Sequence, residues 1–183
     1  MWLLYVLIGV LVLLIIFAFI YSSKLYIASS NIIKAFRELD LILKEKLNLV
    51  LDLYDKLNNY IKDDKLLCED LENLKNINYD NLNKNAKFKL GSIVTGIFGR
   101  LEDFINNNKN LKNTETVISI IKASKAADEK HSMKRIGYNE DVRIYNELVT
   151  KYPSKIIAKL FGFKEKEYYG ILDGERKSIK TNI

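Results

Sequence analysis

The chain opens on an unbroken apolar run, Trp2 to Tyr21 (WLLYVLIGVLVLLIIFAFIY), and turns polar and charged after it. A helix of that length, at about 1.5 Å per residue, rises about 30 Å, the thickness of a bilayer's hydrocarbon core. The pattern predicts a membrane anchor over residues 1–23 that meets lipid through residues 2–21, with Trp2, Leu3, Gly9, Phe17 and Tyr21 inside it. Trp2, Tyr5 and Tyr21 stand near the two ends, where amphipathic rings favour the headgroup level. A cleaved signal peptide would carry a basic start and a small-residue cleavage site. Here no Lys or Arg precedes Lys24, and YSSKLYIASS holds no A-x-A pattern. A buried core helix would be shorter and interrupted by polar residues. Lys24, Lys34 and Arg37 follow the run, so the positive-inside rule puts the N-terminus outside and the rest in the cytoplasm of a single-pass cell-membrane protein.

Beyond the anchor the periodicity is helical. Phe36, Leu39, Leu43, Leu47, Val50, Leu53, Leu57 and Tyr60 recur in steps of three and four, which predicts one helix over about Asn31–Ile61, either separate or continuing from the anchor. Ser29, Ser30 and Asn31 are the expected hinge or cap between anchor and domain. Asp63 and Asp64 interrupt the pattern, and a short segment with Leu67, Leu71 and Leu74 on one side follows. A second long helix is expected from Asp80 as N-cap, with a stripe of Leu90, Val94, Ile97, Leu101, Phe104 and Ile105. Gly91, Gly96 and Gly99 lie inside it without the terminal Gly-Lys-Ser/Thr of a phosphate loop, and read as close helix packing or a local bend. Asn106–Asn113 (NNNKNLKN) reads as a loop. Asn113 or Thr114 should then cap a third long helix, with Glu115 in its first turn, that runs to Lys151 before Tyr152-Pro153 stops it. Pro153 is the one proline and strand-like alternation is absent, so the fold class is all-α.

Composition narrows the function. The 183 residues leave enough chain after the anchor for one domain with a sizeable core. The net charge of +6 comes from interspersed charges of both signs, without the basic, aromatic-laced stripe of a nucleic-acid binder. One cysteine, Cys68, excludes an intramolecular disulfide, and its neighbours Glu69 and Asp70 argue against a reactive thiol. One histidine, His131, cannot make a zinc site or the paired Glu-x-x-His motifs of a di-iron bundle. No catalytic residues, cofactor, metal or small-molecule substrate are expected.

The third long helix carries an irregular seam. Val117, Ile120 and Ile121 are apolar at its start, and Val142, Tyr145, Leu148 and Val149 at its end. Between them the same face holds Ser124, Asp128, His131, Arg135 and Tyr138. Charges there need partners on neighbouring helices, or water. One reading is an interhelical hydrogen-bond network that fixes register, and the other is a polar pocket or contact surface.

RIGYNEDVRIYN, Arg135 to Asn146, resembles the R-x-x-Y-N-x-x-V-x-x-Y-N signature of the LemA family, with Arg135, Tyr138, Asn139, Val142, Tyr145 and Asn146 in the named positions. YPSKIIAKLFGF, Tyr152 to Phe163, is similar to that family's closing segment, and AFRELDLILK, Ala35 to Lys44, to its A-x-x-x-I-D-x-x-L-K stretch with Leu39 in place of Ile. The chain lacks the family's frequent Pro in the first soluble helix and its Tyr-Pro before the last long helix. The resemblance implies a single transmembrane helix followed by an antiparallel, up-and-down style four-helix bundle over residues 24–163, and no enzyme activity. It makes the motif residues candidates for structure or contact.

On the short helix after Pro153, Ile156, Ile157, Leu160, Phe161 and Phe163 read as a compact apolar cluster closed by Gly162, a lid on one end of the bundle. Lys155, Lys159, Lys164 and Lys166 beside it would instead suit an anionic membrane or a partner groove. Residues 164–183 read as a polar, flexible tail. The leading expectation is therefore a membrane-anchored scaffold that contacts an unknown membrane or cytoplasmic protein, or a second copy of itself. A module that binds or remodels anionic membranes is the alternative. An enzyme built on Asp128, His131, Arg135 and Tyr138 is a third, without nucleophile, metal set or cofactor motif to support it.

Overall fold

The computed structural model describes residues 1–61, 64–112 and 114–170. Among them all regular structure is helical: α1 (Trp2–Ile61), α2 (Lys65–Lys75), a 3-10 turn (Tyr79–Asn81), α3 (Lys84–Asn107), α4 (Lys109–Lys112), α5 (Glu115–Thr150) and α6 (Ser154–Leu160). They fall into two compact units, Met1–Phe36 with Ile136–Tyr169, and Arg37–Arg135 with Gly170.

Helix α1 runs without interruption from the apolar stretch into the polar sequence, so Ser29–Asn31 is neither hinge nor cap. Nothing after Gly9 in this helix breaks it: no proline occurs, and Leu, Lys and Glu are strong helix formers. Its N-terminal portion is long and apolar enough to cross a membrane, and that window is wholly uncovered. Past it, one face is buried at Leu25, Ala28, Ile32, Leu39, Ile42, Lys46, Val50, Leu53, Leu57 and Ile61. From Leu25 to Lys46 those positions fit a seven-residue repeat, the spacing that keeps a helical seam on its neighbours. Tyr60, expected on this face, is exposed, and Ile61 is buried in its stead.

The Arg37–Arg135 unit is built on an apolar cluster from Leu43 to Ile120 that takes in Leu67, Leu71 and Leu74 of α2 and Leu90, Val94, Ile97, Leu101 and Ile105 of α3. Each fully buried leucine of that kind contributes about 1.5–3 kcal/mol. The caps differ from expectation. Asp64 caps α2 by accepting from the Leu67 amide at 3.1 Å, whereas Asp63 lies outside the described residues. Asn83, not Asp80, caps α3 by accepting from the Ala86 amide at 2.9 Å. Asp80 sits in the 3-10 turn and pairs with Lys44 at 3.0 Å. The expected loop at Asn106–Asn113 is largely helical, because α3 reaches Asn107 and α4 follows, burying Leu111. Of the expected caps of α5, Thr114 turns its hydroxyl back to the Asn110 carbonyl, and Asn113 is outside the described residues. Gly96 and Gly99 do not mark close packing, since a side-chain carbon at either would meet nothing within 4 Å.

Asp40, the acid of the AFRELDLILK stretch, ties this unit together. It accepts from the Tyr79 hydroxyl at 2.8 Å and from Lys87 Nζ at 3.0 Å, fastening the 3-10 turn and the start of α3 to α1. The Lys87 ammonium also lies 4.6 Å from the Tyr79 ring centre, a cation–π contact.

Candidate functional site

The polar residues of α5 divide between the two units. In the Ile136–Tyr169 unit the chain leaves α6 through Gly162, whose φ of 72° suits glycine. The Phe163 amide donates back to the Ala158 carbonyl at 2.8 Å, ending the helix in a Schellman-type turn. The following residues form a strap without regular structure along α5. Asn146 Nδ2 donates to the Lys166 carbonyl at 2.9 Å, and Asn146 Oδ1 accepts from the Lys166 amide at 2.8 Å. Asn139 does the same to Tyr169, at 3.2 Å and 2.7 Å. Between these clasps the Tyr138 hydroxyl donates to the Glu167 carbonyl at 2.9 Å.

The spacing explains the fit. Asn139 and Asn146 are two helical turns apart, about 10.5 Å along α5. Three residues of extended chain can span about 10 Å, enough for the strap to reach from Asn146 at Lys166 to Asn139 at Tyr169. A primary amide offers the donor and acceptor of a peptide group, so each Asn pairs with the strap as a neighbouring strand would. Tyr138 is fully buried, and burial followed by the Glu167 charge raises the pKa of its phenol. Tyr145 lies under the Lys166 ammonium, 4.9 Å from ring centre to Nζ, and that ammonium donates to Ser29 Oγ at 2.6 Å. Burial lowers the pKa of Lys166 and raises that of Tyr145. Residues 166–169 are thus held by hydrogen bonds where a flexible tail was expected, while 171–183 lie outside the described residues.

In the Arg37–Arg135 unit the polar residues meet one another. Lys46 of α1, which the sequence reading passed over, is wholly buried and donates to Asp128 and to Thr95 Oγ1. Thr95 Oγ1 donates to the Gly91 carbonyl at 2.9 Å, which gives that glycine's neighbourhood a role in the network. The Asp128 side chain keeps 41% exposure against none for Lys46. His131 is buried, and its pKa is pushed down to about 4, first by burial, then by the Lys46 and Arg135 charges, with Asp128 opposing. It is therefore neutral near pH 7. Arg135 is exposed. Ser124 Oγ is buried without a hydrogen-bond partner among the described residues.

Asp128, His131 and Arg135 thus belong to one compact unit and Tyr138 to the other. Among the described residues no group of three or more His, Cys, Asp or Glu is placed to hold a metal ion. Cys68 is half-buried, its thiol 3.4 Å from the Ile61 carbonyl.

The expected apolar cluster after Pro153 is split. Ile157 is buried with Ser154 and Ala158, and Phe163 stacks edge-on against Tyr26, ring centres 5.2 Å apart. Ile156, Leu160 and Phe161 face outward beside the exposed Lys155 and Lys159, because a seven-residue helix docked by Ile157 and Ala158 turns its other sides away. In the apolar run, Trp2, Leu3 and Gly9 are exposed, and Phe17 and Tyr21 are half-buried, ring centres 4.6 Å apart.

No curated protein and no solved structure matches the chain significantly. The model of the LemA family matches residues 35–182, most of the chain and all three motif stretches noted above, and the protein belongs to the LemA family.

Proposed function

We propose that this protein is a single-pass, membrane-anchored helical scaffold that works by binding other proteins or a second copy of itself, and that it turns over no substrate. The observation that carries this reading is the use of the family signature. Tyr138, Asn139 and Asn146 hold main chain, and Asp128 holds Lys46, so Asp128 and Tyr138, two of the four residues that invite a catalytic reading, have structural partners.

The same pairs favour an up-and-down four-helix bundle in the Arg37–Arg135 unit. Asp40–Lys87 and Lys46–Thr95 advance together along α1 and α3. Glu38–Lys134 and Lys46–Asp128 run oppositely along α1 and α5, and α2 supplies the short fourth member. The apolar start of α1 would span the cell membrane with its N-terminus outside, Lys24, Lys34 and Arg37 keeping the helical domain in the cytoplasm.

Photo-crosslinking in intact cells tests the reading, from probes at the exposed Met133, Ile136 and Ile144. Protein adducts at one or more positions are expected. A chain that stays monomeric and adduct-free at all three would contradict it. A cysteine at Glu45 in a Cys68→Ser background, unlabelled by an impermeant maleimide until cells are opened, is the expected sign of the orientation.

A further inference from the structure

We propose that α6 is an interfacial element: it lies in the headgroup layer of the membrane that α1 enters, with Tyr152, Ile156, Leu160 and Phe161 turned into an anionic leaflet and Lys155 and Lys159 among its phosphates. This rests on reading α1 as a membrane span.

The placement follows from contacts inside the Met1–Phe36 and Ile136–Tyr169 unit. Phe163 meets Tyr26, and Lys166 meets Ser29, so the strap climbs α1 in the direction of rising numbers, away from the apolar run. On α5 the strap meets Asn146 at Lys166 and Asn139 at Tyr169, so α5 descends toward that run as its numbers rise. α5 ends at Thr150, four residues past Asn146 and about 6 Å further toward that run, so the turn at 151–153 from which α6 starts lies on the side of Tyr26 that faces Tyr21. Tyr26 is five residues past Tyr21, about 7.5 Å along the helix. A headgroup layer is about 5–7 Å deep on each side of the hydrocarbon core. α6 sits at that depth.

Its surface suits the site. Leu160 is 74% exposed and Tyr152 75%, with Ile156 one turn from Leu160 on the same face and Phe161 beside it. Four large apolar side chains on so short an element are costly in water, and the Lys155 and Lys159 stems can snorkel past them. Charge points the same way. Residues 21–30 and 148–164, which form the membrane-facing end of this unit, contain no Asp or Glu and carry Lys24, Lys151, Lys155, Lys159 and Lys164, of which Lys151 pairs with Glu147 at 3.3 Å. A basic rim around an apolar face is complementary to anionic lipid.

The test uses the full chain reconstituted in vesicles of phosphatidylcholine alone or mixed with phosphatidylglycerol. Single spin labels replace Leu11, Met133, Lys155, Ile156 or Leu160 in a Cys68→Ser background, and power saturation compares access to oxygen with access to a water-soluble nickel chelate. In the anionic vesicles, labels at 156 and 160 should shift to high oxygen and low nickel access relative to 133. Lys155→Glu with Lys159→Glu should reverse that shift, because both lysines are surface residues whose replacement leaves the fold intact. A label at 160 as open to nickel as that at 133 in both lipids would overturn the assignment. So would a label at 160 shielded from both reagents, which would mean protein covers this face. The label at 11 separates the two readings: oxygen-rich there but aqueous at 160 sinks the α6 proposal alone, and aqueous at 11 sinks the span and the proposal with it.

Discussion

In the half of α5 after Ile136, three uncharged side chains bind main chain: two asparagine amides and a tyrosine hydroxyl clasp the strap. In the half before it, polar side chains bind each other, with a buried lysine meeting a partly exposed aspartate and an orphaned serine two turns or less away. The first arrangement is neutral and fully paired, and the second is charged and lopsided. Neutral amide pairs give modest, additive stability with fixed geometry, whereas a charge pair of unequal burial makes stability depend on which partner is lost.

The largest effect should come from that inequality. Asp128→Ala leaves the buried Lys46 ammonium unpaired and should cost about 3–5 kcal/mol of unfolding free energy. Lys46→Met should cost far less, because Asp128 can rehydrate, and the double variant should recover most of the loss. Chemical unfolding in detergent reads all three, and equal losses in the two single variants would remove the distinction.

Next come the clasps. Asn139→Ala and Asn146→Ala each strand a strap amide and carbonyl and should cost about 1–3 kcal/mol apiece. Trypsin should cut at Lys164 and Lys166 faster in both, while Lys46→Met leaves that cleavage unchanged.

A third, comparable effect is conditional on pH. His131 holds its proton with a pKa of about 4 when folded against 6.5 when free, so the unfolded chain binds the extra proton between those values. Its contribution is intact above pH 6.5, declines as pH falls through 6.5, and is fully lost by about pH 4. The shift corresponds to at most about 3 kcal/mol. Unfolding curves of His131→Gln should lack this part of the acid loss. The smallest effect belongs to Ser124→Ala, which removes an unpaired buried hydroxyl and should be neutral or stabilise by about 1 kcal/mol.

Much of this was legible in the sequence. The apolar stripes of α1, α2 and α3 follow helical periodicity because burial selects one face, and their leucines are buried as the pattern requires. The seam of α5 was visible as polar residues at core spacing. Lys46 was missed, although it fills the same repeat as Leu25, Ile32 and Leu39, and a lysine in a core slot is a signal for a buried partner. The strap could not be read. Asn139 and Asn146 recognise peptide groups, which every residue has, so the strap's side chains need carry no signature. The split of the closing segment was equally hidden, since Ile156 and Ile157 are identical in kind and only docking decides which is covered.

Amide hydrogen exchange at Lys166 and Tyr169, in the full chain in lipid nanodiscs, tests most directly whether the family signature serves as a clasp. Both amides should be protected in the wild type, with Asn146→Ala exposing Lys166 first and Asn139→Ala exposing Tyr169 first. Exchange at both positions at the rate of a free peptide in the wild type would contradict the account.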